Sequence, residues 1–377
     1  MADDRVAAWV AVTGIVIVET VRIAAIVPTA VSGPGTAIVA PRPAERCGAR
    51  SSRGNRPVAA ILDRFHLLGR SGLRVSPLSL GTMTFGTEWG WGAEKEVCRR
   101  LFDRYIEAGG NFIDTANFYT EGTSEMWTGE FIRGRQNQLV IATKYAMCMR
   151  PGDANAGGIH RKNLIQSLEA SLRRLRLEAV DLLWVHAWDF TVPVDELMRG
   201  LDDVVSAGKV HYVGVSNAPA WAIANANTLA SLRGWAPFIG MQMQYSLVER
   251  SVEREILPMG RELGVGMQAW SPLAGGFLSG KYARAEAGSN APLDQSLRMA
   301  SSKNRVNDRN LGILKVVQAV AKETGRSEAQ VAIRWVLQKF QRLSTRISLN
   351  VRALSLPAKH PAMGSCPRQQ FFREIYL

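Results

Sequence analysis

Cysteine is scarce in this 377-residue sequence, and charged residues make up only 21% of it. The four cysteines lie far apart, at positions 47, 98, 148 and 366, and form no CxxC pair. This spacing argues against both a disulfide framework and a zinc ribbon, so no metal site is predicted and a reducing, cytoplasmic location is expected. Because 46% of the residues are hydrophobic, extensive disorder is also excluded for most of the chain.

A hydrophobic run long enough to span a bilayer is missing as well. The apolar run Val6–Val18 is too short, and Glu19 and Arg22 interrupt its continuation. Residues 41–57 are rich in Arg, Pro, Gly and Ser, a composition typical of a linker. We therefore predict no membrane segment and expect residues 1–62 to form an unstructured or low-order leader.

The net charge of +13 comes mostly from the two ends of the chain. Residues 1–62 carry seven basic and four acidic side chains, and residues 340–377 carry six and one. Between residues 63 and 339 there remain 33 basic and 28 acidic side chains, with no basic stripe interleaved with aromatics. This distribution argues against nucleic-acid binding and is compatible with a phosphorylated cofactor.

Short runs rich in apolar residues alternate with longer amphipathic stretches from residue 63 onward. Arg161–Leu175 repeats leucine at helical spacings, and a further helix is expected at Ser327–Gln338. Strands that each precede a helix predict an α/β fold, closed as a (β/α)8 TIM barrel. A doubly wound sheet is the alternative, disfavoured because no GxGxxG follows the first run. The seven expected strands are Val75–Gly81, Phe112–Ala116, Leu139–Lys144, Leu182–His186, Tyr212–Ser216, Ile239–Gln244 and Val265–Trp270.

Polar residues stand at or just beyond the ends of successive runs, where barrel enzymes collect their catalytic groups. Lys144 and His186 end two of them, Asp114 lies within the run Phe112–Ala116, and Tyr119 follows in the loop after that run. Each has a structural explanation by itself, as a turn cap, a solvated lysine, a core histidine or a loop aromatic. Together they form a set that protonates a carbonyl oxygen, because an ammonium stabilises a phenolate and a carboxylate holds the ammonium. No side chain supplies hydride, so a nicotinamide cofactor is implied.

Longer motifs in the same region resemble the aldo-keto reductase family. LGRSGLRVSPLSLGTMTFG at Leu68–Gly86 resembles its opening hairpin and first strand, and GGNFIDTANFY at Gly109–Tyr119 its Asp-to-Tyr signature. LVIATKY at Leu139–Tyr145 and DLLWVHAWD at Asp181–Asp189 resemble the lysine and histidine strands. The similarity runs from about Leu67 to Gln338 and is greatest to the microbial and potassium-channel-β-like branches.

The resemblance implies an NADPH-dependent oxidoreductase that reduces aldehyde or ketone carbonyls of small molecules to alcohols, with NADH a poorer cofactor. It implies Tyr119 as proton donor, Lys144 and Asp114 as its tuning pair, and His186 as the group that orients the substrate. The cofactor is expected to contact Ser216, Asn217 and Gln242 through its carboxamide, Trp270 through its nicotinamide ring, and Ser271, Pro272, Leu273, Gly276 and Lys281 through its pyrophosphate. The substrate pocket is expected to be walled by Trp89, Trp91, Trp127 and Trp188.

The C-terminal segment departs from the family pattern. Residues 340–377 do not match the segment that grips the adenosine end of the cofactor, so we expect a barrel over 63–339, a divergent tail, and an uncertain or defective eighth strand. Arg346–Val351 alternates weakly and is the candidate to fill the gap. Two alternatives to the active enzyme stay open: a cofactor-binding regulatory subunit of the channel-β type, and an inactive product without its C-terminal cofactor clamp. Oligomeric state is left open.

Overall fold

A computed structural model describes residues 62–280, 305–341 and 347–352, with only the backbone of residues 340–341 and 347–352. The expected leader before Leu62, the residue Lys281 and the tail beyond Arg352 lie outside these ranges. Within them, parallel strands close into a barrel and helices connect them on the outside, as the alternating pattern predicts.

Ten strands are described in this part of the chain. The first two pair antiparallel as a hairpin, and the other eight form the closed barrel in the order β10-β3-β4-β5-β6-β7-β8-β9. Each of the seven strands expected from the sequence overlaps one barrel strand, and the closed sheet excludes the doubly wound alternative. The strands are β1 (His66–Leu67), β2 (Arg74–Val75), β3 (Leu78–Gly81), β4 (Phe112–Asp114), β5 (Val140–Tyr145), β6 (Val180–Val185), β7 (Val210–Ser216), β8 (Phe238–Gln244), β9 (Gly266–Trp270) and β10 (Ile347–Arg352).

Strand β10 supplies the eighth position of the barrel. Its residues pair in parallel with β3, from Leu349 opposite Leu78 onward, and with β9, from Ile347 opposite Met267 onward. The segment suggested from the sequence, Arg346–Val351, overlaps this strand, and the barrel is not left open. A backbone ladder is made of N–H and C=O groups that every residue except proline carries, so a segment with only weak apolar alternation can complete it.

Helices cover the outer face of the sheet. Arg161–Leu175 forms a helix over the predicted range, and its four leucines are buried. The predicted helix at Ser327–Gln338 spans Glu328–Gln341. None of the described helices is both long and apolar enough to cross a membrane. The helices are α1 (Lys95–Glu107), α2 (Thr123–Phe131), α3 (Arg161–Leu175), α4 (Val194–Ser206), α5 (Ala220–Arg233), α6 (Ile256–Leu263), α7 (Asp308–Thr324) and α8 (Glu328–Gln341).

The β1–β2 hairpin closes the amino-terminal end of the barrel. Its turn is attached to the chain just before β9, where the Arg70 N–H donates to the Gly264 carbonyl at 2.8 Å. Leu68, fully buried next to this turn, belongs to an apolar cluster with Phe112, Leu182 and Trp184 inside the barrel. Because this end is filled by apolar side chains, the polar residues of the barrel interior gather towards the other end.

Candidate active site

The polar residues expected at strand ends meet at the carboxyl-terminal mouth of the barrel. Asp114 is the last residue of β4, and Lys144 is next to last in β5. His186 directly follows β6, and its N–H donates to the Tyr145 carbonyl at 2.9 Å. Parallel strands all end on the same side of a barrel, so residues that are distant in sequence are brought together.

Lys144 and Asp114 form an ion pair with no exposed surface on either side chain. The Lys144 Nζ lies 2.5 Å from Asp114 Oδ2 and donates a second hydrogen bond to the Thr115 carbonyl at 2.7 Å. Burial of an ammonium is tolerated only with such partners, because an isolated charge loses its hydration. The pair therefore places a positive charge at a defined point of the barrel mouth.

Tyr119 and His186 adjoin this ion pair. Tyr119 begins a short 3-10 segment, Tyr119–Gly122, and is 3% exposed. The Lys144 Nζ lies 4.8 Å from the centroid of the Tyr119 ring, and the His186 ring stands edge-on to it with centroids 5.7 Å apart. The four residues expected to act together are thus contiguous in space.

A second tyrosine, Tyr145, follows Lys144 directly but lies in a different environment. Successive side chains of a strand point to opposite faces, so Tyr145 faces away from the barrel interior. Its hydroxyl donates to the Ile159 carbonyl at 3.2 Å, and burial raises the pKa of the phenol above its ordinary value. Tyr145 is therefore a buried structural donor, and Tyr119 is the tyrosine beside the ammonium.

A chain of side-chain amides continues from Asp114 across the barrel interior. The Gln242 Nε2 donates to Asp114 Oδ1 at 2.9 Å and to Gln268 Oε1 at 2.8 Å, and the Gln268 Nε2 donates to Ser79 Oγ at 2.6 Å. The sequence reasoning missed Gln268 and Ser79. The only signal for them is a polar residue at an inward-facing position of otherwise apolar strands.

Ser216, Asn217 and Trp270 form the neighbouring side of the mouth. Ser216 Oγ donates to the Gln242 carbonyl at 2.8 Å, and Asn217 Nδ2 donates to the His186 carbonyl at 3.0 Å. The Trp270 indole N–H donates to Asn217 Oδ1 at 3.2 Å. These contacts join the ends of β7, β8 and β9 to the histidine that follows β6.

Comparison with known proteins identifies the family to which this barrel belongs. Residues 77–356 match the family described as the Aldo/keto reductase family, which is most of the chain. This protein belongs to the aldo/keto reductase family. The match continues through β10, in agreement with its place in the barrel.

Several fungal members of the family are similar over most of their length. An aryl-alcohol dehydrogenase from Pestalotiopsis microspora is 38% identical over 80% of both chains. Norsolorinic acid reductase B from Aspergillus parasiticus is 39% identical over 74% of this chain and 75% of its own. An aryl-alcohol dehydrogenase [NADP(+)] from Phanerodontia chrysosporium is 36% identical over 71% and 74%. The protein is accordingly an oxidoreductase of a family that acts on carbonyl compounds.

The donor set of this aldo/keto reductase fits a nicotinamide dinucleotide. Ser216, Asn217 and Gln242 carry hydroxyl and amide groups of the kind that pair with a carboxamide, and their internal hydrogen bonds leave oxygen atoms as the acceptors for its N–H groups. Trp270, 7% exposed at the end of β9, offers an aromatic ring beside them. The chemistry of these groups makes them the candidates to hold the nicotinamide end.

The segment after Trp270 contains a run of left-handed residues. Ala274, Gly275 and Gly276 have φ angles of 51°, 68° and 98° in succession, and Ser271 is also left-handed. Their N–H groups donate within the segment, from Ala274 to the Ser271 carbonyl at 2.8 Å, from Gly275 to Ser271 Oγ at 3.1 Å and from Gly276 to the Leu273 carbonyl at 2.9 Å, and the two glycines allow a ligand to approach this backbone closely. Pro272 is buried and Leu273 half-buried in the same segment, whereas Lys281 lies outside the described residues.

Two of the expected pocket tryptophans lie beside Tyr119. Trp89 is 5.3 Å from Trp91 and 5.5 Å from Phe118 between ring centroids, and it stands edge-on to Tyr119 at 6.5 Å. Phe118 completes this aromatic group and was missed by the sequence reasoning, although it directly precedes Tyr119. The other two, Trp127 and Trp188, pack in the larger core cluster, and the Trp188 N–H donates to the Asn217 carbonyl at 3.4 Å.

Proposed function

We propose that this protein is an NADPH-dependent reductase of aromatic aldehydes or ketones, with Tyr119 as the proton donor. The observation that carries the proposal is the buried Lys144 ammonium, held by Asp114 and located 4.8 Å from the Tyr119 ring centroid. A positive charge at that point stabilises the negative charge that develops on the phenol oxygen as its proton leaves.

The chain's own residues would carry out the proton half of the reaction. The Tyr119 hydroxyl proton passes to the substrate carbonyl oxygen, and Lys144, paired with Asp114, stabilises the resulting phenolate. His186, edge-on to Tyr119, is placed to hydrogen-bond the same carbonyl oxygen and orient it. When bound, NADPH supplies the hydride that reduces the carbonyl carbon.

The preference for aromatic substrates is supported by the aromatic group of Trp89, Trp91 and Phe118 beside Tyr119. Aromatic rings pack favourably edge-to-face or offset at such distances, so a planar substrate would be held next to the proton donor. The names of the relatives, which include aryl-alcohol dehydrogenases, support the same class. The choice of NADPH is supported by the name of the Phanerodontia relative.

The proposal is tested with Tyr119→Phe, which removes the hydroxyl and keeps the ring. We expect kcat for an aryl aldehyde, followed by loss of NADPH absorbance, to fall about 100- to 10,000-fold. NADPH affinity, followed by quenching of tryptophan fluorescence, should stay near the wild-type value because the candidate cofactor contacts lie on β7 to β9. Tyr212→Phe, in the first half of β7 and beside the apolar cluster inside the barrel, is the matched control and should keep full activity.

The same titrations separate the alternatives. Retained turnover in Tyr119→Phe would contradict the role assigned to this tyrosine. Saturable NADPH binding by the wild-type protein without turnover of any carbonyl would favour the regulatory subunit. Absence of binding by the folded protein would favour the inactive product, and comparison of kcat/KM with NADPH and NADH decides the cofactor preference.

A further inference from the structure

The backbone directly after Tyr119 adopts an unusual conformation. Thr120, Glu121 and Gly122 are all left-handed, with φ angles of 47°, 56° and 99°. A glycine accepts this region readily, whereas a β-branched threonine does so only where the surroundings hold it there. Thr120 is therefore under constraint at the position next to the proposed proton donor.

The Thr120 side chain is the group that holds it. It has no exposed surface, and its Oγ1 donates to the Phe85 carbonyl at 2.6 Å. The same oxygen accepts a hydrogen bond from the Ser124 N–H at 3.1 Å, one of the amide donors in the first turn of α2 that has no partner within the helix. One hydroxyl thus joins the turn after Tyr119, the start of α2 and the loop after β3.

The loop after β3 carries the aromatic side chains that face Tyr119. It is closed by hydrogen bonds from the Ala93 N–H to the Thr84 carbonyl at 2.8 Å and from the Gly86 N–H to the Ala93 carbonyl at 3.2 Å. Trp89 lies near its tip. A Cβ on Gly86 would approach the Thr120 Cβ and Oγ1 to 2.7 Å, so this glycine leaves the space that Thr120 occupies. Thr120 therefore packs directly against the loop, next to a second link in which Thr123 Oγ1 donates to the Glu88 carboxylate.

Helix α2 is anchored independently of Thr120. Glu125, without exposed surface, accepts from Thr143 Oγ1 at 2.5 Å and from Arg174 Nε at 2.6 Å. Thr143 precedes Lys144 in β5, so these bonds tie α2 to the strand that carries the ammonium. With the helix and the strand already joined, the segment Tyr119–Gly122 is the part whose position depends on the Thr120 hydroxyl.

We propose that Thr120 is a positioning residue for Tyr119, whose hydroxyl group holds the tyrosine at the ammonium and against the aromatic loop. The inference rests on the proposed function, since it assigns a role within the same site. The hydrogen bonds of the Thr120 side chain go to Phe85 and Ser124, and neither residue is among those proposed to hold the cofactor. Its loss should therefore lower turnover and leave NADPH binding intact.

The test is Thr120→Val, which keeps the branched shape and removes the hydroxyl. Because a displacement of about 1 Å at a reacting group costs up to about 100-fold in rate, we expect kcat for an aryl aldehyde to fall about 10- to 100-fold. The NADPH dissociation constant should change less than about two-fold. Thr120→Ser keeps the hydroxyl and should retain most of the wild-type kcat. Thr324→Val, which removes a hydroxyl bonded to the Val320 carbonyl in α7, is the matched control.

A combination with Tyr119→Phe distinguishes positioning from a general structural effect. In that background the tyrosine hydroxyl is absent, so Thr120→Val should lower the residual rate no further. An equal loss in both backgrounds would overturn the proposal, and so would wild-type kcat in Thr120→Val. If the valine variant does not fold, Thr120→Ser and Thr120→Ala are compared instead, and equal kcat values for the two would overturn it. A wild-type protein that binds NADPH but reduces no carbonyl would refute the proposed function. That result is distinguishable from the outcomes above, which compare the Thr120 variants with an active wild-type enzyme.

Discussion

The buried ion pair between Lys144 and Asp114 makes a prediction about stability that does not depend on turnover. Asp114 uses both carboxylate oxygens as acceptors, Oδ2 for the Lys144 Nζ at 2.5 Å and Oδ1 for the Gln242 Nε2 at 2.9 Å. In Asp114→Asn one acceptor becomes an N–H donor, so either the ammonium or the glutamine amide faces another donor. Neither position is open to water, because the side chains of Asp114 and Lys144 are fully buried.

The expected cost is that of an uncompensated buried charge. Removing one partner of a buried pair destabilises proteins by about 3–5 kcal/mol, and we expect Asp114→Asn to lower the free energy of unfolding by that amount. The measurement is urea denaturation followed by tryptophan fluorescence. The control is Glu130→Gln, which breaks an exposed ion pair with Lys95. The Lys95 side chain is 39% exposed and the Glu130 side chain 44%. It should cost less than about 1 kcal/mol.

The double variant Asp114→Asn/Lys144→Met tests the reasoning directly. With the ammonium gone, the carbonyl oxygen of the introduced asparagine can accept from Gln242, and a methionine fills much of the lysine volume. We therefore expect the double variant to be more stable than Asp114→Asn alone, since a buried pair replaced by uncharged groups is often nearly neutral. A single variant within about 1 kcal/mol of wild type, or a double variant as unstable as the sum of the two single ones, would refute the assignment.

Two further predictions concern groups away from the site. Hydrogen bonds from Arg250 lower the pKa of the Glu253 carboxyl below its ordinary value. This group therefore stabilises the fold fully above its unfolded pKa, and the contribution is lost as the pH falls through the lowered folded pKa. Glu253→Gln should therefore be less stable than wild type in urea at neutral pH, with the difference shrinking in acid; a constant difference would contradict this. Burial raises the pKa of the Cys98 thiol to about 12. We expect it to remain unalkylated by iodoacetamide at mildly alkaline pH in the native protein and to react after denaturation, as peptide mass spectrometry would show.

The sequence alone predicted the helices and strands because their hydrophobic periodicity involves only residues that are close together along the chain. Leucines at helical spacing predicted α3 over its observed range, and apolar runs predicted the seven barrel strands with small differences at their ends. The candidate site could also be predicted, since Lys144 and His186 end their runs and Asp114 lies near the end of Phe112–Ala116. Parallel strands ending on one side of a barrel are sufficient to bring such residues together.

The tertiary structure decided features that depend on contacts between distant segments. Residues 347–352 alternate only weakly in sequence, and their pairing with β3 and β9 makes them the eighth strand. Ser79 and Gln268 became visible as members of the site through hydrogen bonds across the barrel. Thr120 is inconspicuous in sequence, and its role follows from a backbone angle and a bond to Phe85. The reason is physical: periodicity is a property of neighbours along the chain, whereas hydrogen-bond partners and strained angles are set by packing.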